Sequence, residues 1–120
     1  MSAVYVIDSY VHNGRVAVLV ELSAESDYAI RTDEFKSLAR DMAMHIAASA
    51  PESVASLLVQ PFVKEPSVSV RQILASASSS LRESISITRF VRWDTASPPH
   101  PAEPDPPKSP AVAIHTRLRA

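Results

Sequence analysis

The run Val4-Tyr5-Val6-Ile7-Asp8-Ser9-Tyr10-Val11-His12-Asn13-Gly14-Arg15-Val16-Ala17-Val18-Leu19-Val20-Glu21-Leu22 holds two β-branched stretches separated by Asn-Gly, and Gly14 is the one glycine in 120 residues. Asn-Gly between such stretches is a strong hairpin signal, because both turn residues must take positive φ. If Asn13 and Gly14 alone form the turn, His12 faces Arg15 and Val11 faces Val16. Ile7, Ser9, Val11, Val16, Val18 and Val20 then share one face, which is expected to be the core face.

Beyond Leu22 the chain passes through a polar knot to Asp27 and Tyr28. Thr32-Asp33-Glu34 then offers an N-cap followed by two carboxylates that oppose the positive end of a helix dipole. Phe35, Leu38, Ala39, Met42 and Ile46 form one apolar stripe, which predicts a helix to about Ala48 with Lys36, Arg40 and Asp41 facing water. Glu52 to Gln60 reads as a short helical link ended by Pro61, and Pro66 marks a further boundary. Ser69-x-x-Gln72 has the form of a capping box, and Val70, Ile73, Leu74, Ala77 and Leu81 repeat the stripe in a helix ending near Glu83.

Ile85 to Trp93 alternates β-branched and aromatic residues with polar ones and supplies a third strand. The expected fold is α+β: a small antiparallel β-sheet, made of the N-terminal hairpin plus the C-terminal strand, packed against helices on one face. Residues 1–95 form the domain. In 96–120 seven of the ten prolines lie between Pro98 and Pro110. That segment reads as a Pro-rich disordered tail, with Ala111 to Leu118 a weak sticky patch.

Several function classes drop out on composition. Without cysteine there is no disulfide scaffold, thiolate metal site or thiol nucleophile. A net charge of -1 gives no positive field for nucleic acid or an anionic membrane, so neither is an expected partner. The N-terminal residues do not read as a signal peptide and no apolar run is long enough to span a bilayer, so a cytoplasmic location is expected. One glycine cannot build a Walker loop, GxGxxG or GxSxG. His45 lies at the margin of the helical stripe and is expected to be a half-buried, hydrogen-bonded side chain, since partners at metal-ligand spacing are missing. Asp33-Glu34 and Glu25 with Asp27 read as surface carboxylates near helix starts, and Ser76 to Ser80 as a water-facing helix surface. No catalytic residue, metal or cofactor is expected.

Five blocks then match one family in order. Tyr10-Val11-His12-Asn13-Gly14-Arg15-Val16-Ala17-Val18-Leu19-Val20-Glu21 resembles the Y-x-H-x-x-G-R-x-G-V-L-V-E pattern of the core domain of bacterial and organellar elongation factor Ts, with one spacer residue fewer. Glu25-Ser26-Asp27-Tyr28-Ala29 resembles that family's E-T-D-F-V signature. Asp41 to Ala48, Gln60 to Lys64 and Arg89 to Arg92 resemble three further blocks.

The resemblance covers about residues 5 to 94. It implies a cytoplasmic or organellar translation factor that binds GDP-bound elongation factor Tu and accelerates GDP release, with the chemistry left to the partner. It also implies that Ser26, Asp27, Tyr28 and Ala29 bind that partner, with Asp27 and Tyr28 where the family's Asp-Phe pair enters the nucleotide domain near the magnesium site.

The chain departs from the pattern at Ser23-Ala24, where the family has Asn-Cys, and at Ser26 and Tyr28, where it has Thr and Phe. No counterpart of the family's N-terminal helical domain precedes Val4, and the helical segment between the third and fourth blocks is reduced to Ser49 through Val59. The alternative expectation is a binding or dimerisation module without exchange. A homodimer is expected, because three strands leave edges and an uncovered face.

Overall fold

A computed structural model of the chain describes residues 3–96. The tail assigned from composition, with the patch at 111–118, lies outside the described residues apart from Ala96. Strands β1 (Val4–His12) and β2 (Val16–Ala24) form the hairpin, and β5 (Ser86–Asp94) pairs antiparallel with β2, giving the order β1-β2-β5. Between them come α1 (Asp27–Arg31), α2 (Asp33–Ser49), α3 (Val54–Val59), a two-stranded ribbon of β3 (Pro61–Phe62) and β4 (Glu65–Ser69), and α4 (Val70–Leu81). This is the expected α+β architecture, with helices on one side of a small antiparallel sheet.

The helices follow their local signals. Thr32 caps α2 by accepting the Phe35 N–H at 3.1 Å, and Asp33 and Glu34 occupy the first turn. Phe35, Leu38, Ala39, Met42 and Ile46 are buried along one stripe. At the start of α4 the Ser69–Gln72 capping box is complete in both directions, at 3.1 and 2.7 Å. Phe35, Leu22, Met42, Ile46 and Leu57 are fully buried between the sheet and the helices, each contributing about 1.5–3 kcal/mol of transfer free energy.

The hairpin itself differs from expectation by one residue. Asn13 and Gly14 both take positive φ (53° and 67°), but the closing pair is His12 with Val16, so the loop holds three residues. Arg15 is the extra one: its N–H reaches the His12 carbonyl at 2.9 Å, and its own carbonyl accepts from Thr95 N–H at 2.9 Å. A one-residue shift turns every side chain of a strand over. Val4, Val6, Asp8 and Tyr10 therefore share the core side with Val18, Val20 and Leu22, whereas Ile7, Ser9 and Val11 point outward. The expected core face was right for Val16, Val18 and Val20 and wrong for Ile7, Ser9 and Val11. Strand β1 is apolar on both sides, so its own pattern does not choose.

The β3–β4 ribbon was also unexpected, because Pro61 and Pro66 read as breaks. Proline is tolerated at strand ends and edges, and two residues of β3 suffice to bury Phe62. At the core rim Arg92 donates through Nε and Nη2 to the Ala47 carbonyl (3.1 and 2.9 Å), tying β5 to the last turn of α2, where a cation is favoured.

The register predicts opposite responses from adjacent residues in β1. Val6→Thr places a hydroxyl toward the helices and should lower unfolding free energy by about 1–2 kcal/mol. Ile7→Thr should change it by less than about 0.5 kcal/mol. Urea denaturation of both variants checks this, and the reverse ranking would restore the two-residue turn.

Candidate functional site

Strand β2 ends at Ala24, and the chain turns through Glu25 and Ser26 directly into α1. The corner is sharp because Ser26 stays extended (φ -143°, ψ 156°) as the N-cap, its Oγ accepting from Ala29 N–H at 3.3 Å. One turn later Thr32 closes α1 and opens α2. Its hydroxyl donates to the Ala29 carbonyl at 2.7 Å and accepts from Phe35 N–H. Asp27 and Tyr28 are thus the first residues of a helical turn that is pinned at both ends.

A residue far along the chain completes the corner. Glu83, just after α4, accepts the N–H groups of Glu25 (2.9 Å) and Ser26 (3.0 Å) on Oε1, while the Ser26 hydroxyl donates to its Oε2. In return the Glu25 carboxylate accepts the Ser84 N–H. Ser23 and Ser86 hydroxyls add a 2.7 Å contact between the neighbouring strands. The Ser26 hydroxyl above all, with the two backbone N–H groups, holds Glu83 below the usual carboxylate range against the opposing effect of desolvation.

The four residues of the sequence signature divide in two. Ala29 is fully buried, and Ser26 is committed to capping α1 and holding Glu83. Asp27 and Tyr28 face water, with Tyr28 72% exposed. Glu83 was not found from the sequence, and no local pattern could have shown it: its partners lie 57 and 58 residues away.

His45 is fully buried and structural. Nδ1 accepts the Val63 N–H at 3.2 Å, which leaves the proton on Nε2 to be donated to Gln60 Oε1 at 2.8 Å. The ring stacks on Phe62. Burial lowers its pKa, with the Gln60 bond opposing, so both nitrogens of the neutral ring are occupied in joining α2 to the ribbon. Among the described residues no three His, Asp or Glu side chains are grouped as a metal site, and no helix is long and apolar enough to cross a membrane.

A family model described as Elongation factor TS matches residues 2–56. The elongation factor Ts of Rubrobacter xylanophilus is 32% identical, over 73% of this chain and 69% of its own length. The chain belongs to the elongation factor Ts family. The elongation factor Ts of Carboxydothermus hydrogenoformans is 33% identical over 74% of this chain, and that of Koribacter versatilis 34% identical over 71%. This chain spans 62% and 60% of those two family members. The Carboxydothermus alignment runs over 135 positions yet takes in 74% of 120 residues, about 89, so about 46 positions of that relative have no counterpart within the matched span.

The Glu83 clamp and His45 give stability a definite acid dependence. Both groups have folded pKa values below their unfolded ones, so their stabilisation is present above the unfolded values and is lost as pH falls through the folded ones. Stability should therefore decline first below the ordinary histidine range and again below the ordinary carboxylate range. In an NMR titration the Glu83 side-chain carbon should turn over below the ordinary carboxylate range, with Ser26 shifting in step. Titration at or above the ordinary value, with Ser26 unmoved, would mean the clamp is absent.

Proposed function

We propose that this chain is a shortened nucleotide-exchange factor that binds GDP-loaded elongation factor Tu in the cytoplasm and promotes GDP release, using Asp27 and Tyr28. Supporting the reading is the exposed Tyr28 ring on a corner fixed by Ser26, Thr32 and Glu83, at the position that resembles the family's Asp-Phe signature. The corner supplies no reacting group. It acts on the partner's affinity for nucleotide: a contact made more strongly with the nucleotide-free form weakens GDP binding by the same coupling free energy.

An aromatic ring suits that task, since it offers much contact area with few rotatable bonds to immobilise. Tyr28 carries its ring ready for insertion, and its hydroxyl requires water or a polar group at the far end of the partner's pocket. Asp27 lies beside it and contributes a polar contact to the partner.

A second reading is a module that binds elongation factor Tu without exchange. The roughly 46 aligned positions absent from this chain favour it, because they remove surface that the relatives carry.

Release of fluorescent GDP from elongation factor Tu separates the two. Exchange predicts acceleration by the unchanged chain and loss of about 2 kcal/mol of coupling in Tyr28→Ala, roughly 30-fold in rate, with Tyr28→Phe retaining activity. Binding with an unaltered release rate supports the second reading, and neither binding nor acceleration removes both.

A further inference from the structure

One imidazole ties the ribbon to α2. His45 donates from Nε2 to Gln60 Oε1 at 2.8 Å and accepts the Val63 N–H on Nδ1 at 3.2 Å. Gln60 ends α3, and Val63 stands in the turn between β3 and β4. The other polar ties of this stretch to α2 are a 3.5 Å contact from Gln60 to the Ser49 carbonyl and the Lys64–Asp41 pair at 3.2 Å. That pair lies at the surface, where an ion pair adds little. Strands β3 and β4 bond to each other and not to the three-stranded sheet. The ribbon is therefore held to α2 chiefly by His45 and by the buried Phe62 ring stacked on it.

We propose that His45 is an acid-operated latch: protonation of its ring releases the segment Gln60 to Ser69 from α2 as a local unit, while α2 and the three-stranded sheet stay folded. An imidazolium donates from both nitrogens and accepts at neither. Gln60 Oε1 still accepts from Nε2, but Nδ1–H then points at the Val63 N–H, donor against donor. The conflict falls on the turn of the ribbon. Val63 is itself exposed, so a small outward movement of that turn brings water to Nδ1.

No counter-charge relieves the conflict in place. Neither α3 nor β3 carries an ionisable side chain. Asp41 on α2 is paired with Lys64, and Glu65 on β4 and Arg71 on α4 face water. Arg92 on β5 is held by the Ala47 carbonyl and Asp94. On β1, Asp8 and His12 bond within their own hairpin, to Ser9 and to Tyr10 and Asn13. Burial is the first cause acting on the ring and disfavours its charged form, Gln60 opposes it, and no neighbouring charge is among the causes. A buried charge without a partner is costly. Opening the ribbon hydrates the ring without breaking any pair of the β1-β2-β5 sheet, so the acid-induced loss of stability starts at the ribbon.

Amide hydrogen exchange of the full chain, followed by NMR from neutral pH to below the ordinary histidine range, tests the latch. Protection of the Val63 N–H should be constant at neutral pH and fall about tenfold per pH unit below that range, the slope of one proton. It should stay about a hundredfold or more below that of Val18 and Val20 in the central strand at every pH. His45→Gln keeps a neutral donor and acceptor and should give Val63 a flat profile. In the unchanged chain the His45 ring and the Val63 amide should follow one titration curve, a readout that does not depend on the variant folding. Equal protection of Val63 and Val20 at every pH overturns the proposal, because the ribbon then opens only with the whole molecule. Loss of Val63 protection that persists in a folded His45→Gln chain, or a Val63 amide that does not follow the His45 ring, also overturns it.

Discussion

Two glutamates that flank the helical segment in sequence, Glu25 before α1 and Glu83 after α4, meet in space and accept hydrogen bonds from each other's stretch of backbone, and the rest of the molecule is arranged around that exchange. Glu83 takes the N–H groups of Glu25 and Ser26, and Glu25 takes that of Ser84. The end of β2 is thereby joined to the start of β5, the two strands whose pairing closes the sheet. Hydrogen bonds to a charged acceptor are stronger than neutral ones, and this set sits where β2 passes into α1. Without it the N–H groups of the corner would be left to water, and α1, a single turn of five residues, would have little to hold it in place.

The hairpin loop sets a second constraint, acting on the opposite end of the sheet. By adding Arg15 to the turn it gives Val4, Val6 and Tyr10 to the core and leaves Tyr5, Ile7 and Val11 outside. The sheet consequently has one face against helices and one that carries Val11, Leu19, Val91 and Trp93 toward solvent. Exposed aliphatic and aromatic groups gathered in this way mark a surface that binds something. The two ends of β2 thus lead to two surfaces of different character, a rigid aromatic corner and an apolar groove.

How much of this could be read in advance depends on the range of each interaction. The helices were legible because their determinants are local: Thr32 with Phe35, Ser69 with Gln72, and apolar residues spaced three and four apart. Asn13-Gly14 announced a hairpin and its positive φ values but not the loop length, since both alternations in β1 are apolar. The β3–β4 ribbon escaped because two residues of strand leave no periodicity. Of the corner, Asp27 and Tyr28 are singled out in the sequence only by a resembling motif, while Glu83 depends on a contact across 57 residues that only the assembled fold creates.

Family membership and geometry meet at that corner. In the proposed exchange reading, the clamp fixes the backbone of the corner that carries Tyr28 before a partner arrives, which would lower the entropy lost on binding. The most direct test is the rate of GDP release from elongation factor Tu with Glu83→Ala, a change that leaves Tyr28 in place. A ring oriented by the clamp predicts that acceleration falls toward that of Tyr28→Ala and that combining the two substitutions causes little further loss, with the variant still folded by circular dichroism. A folded Glu83→Ala chain that releases GDP as fast as the unchanged protein would contradict that role for the clamp.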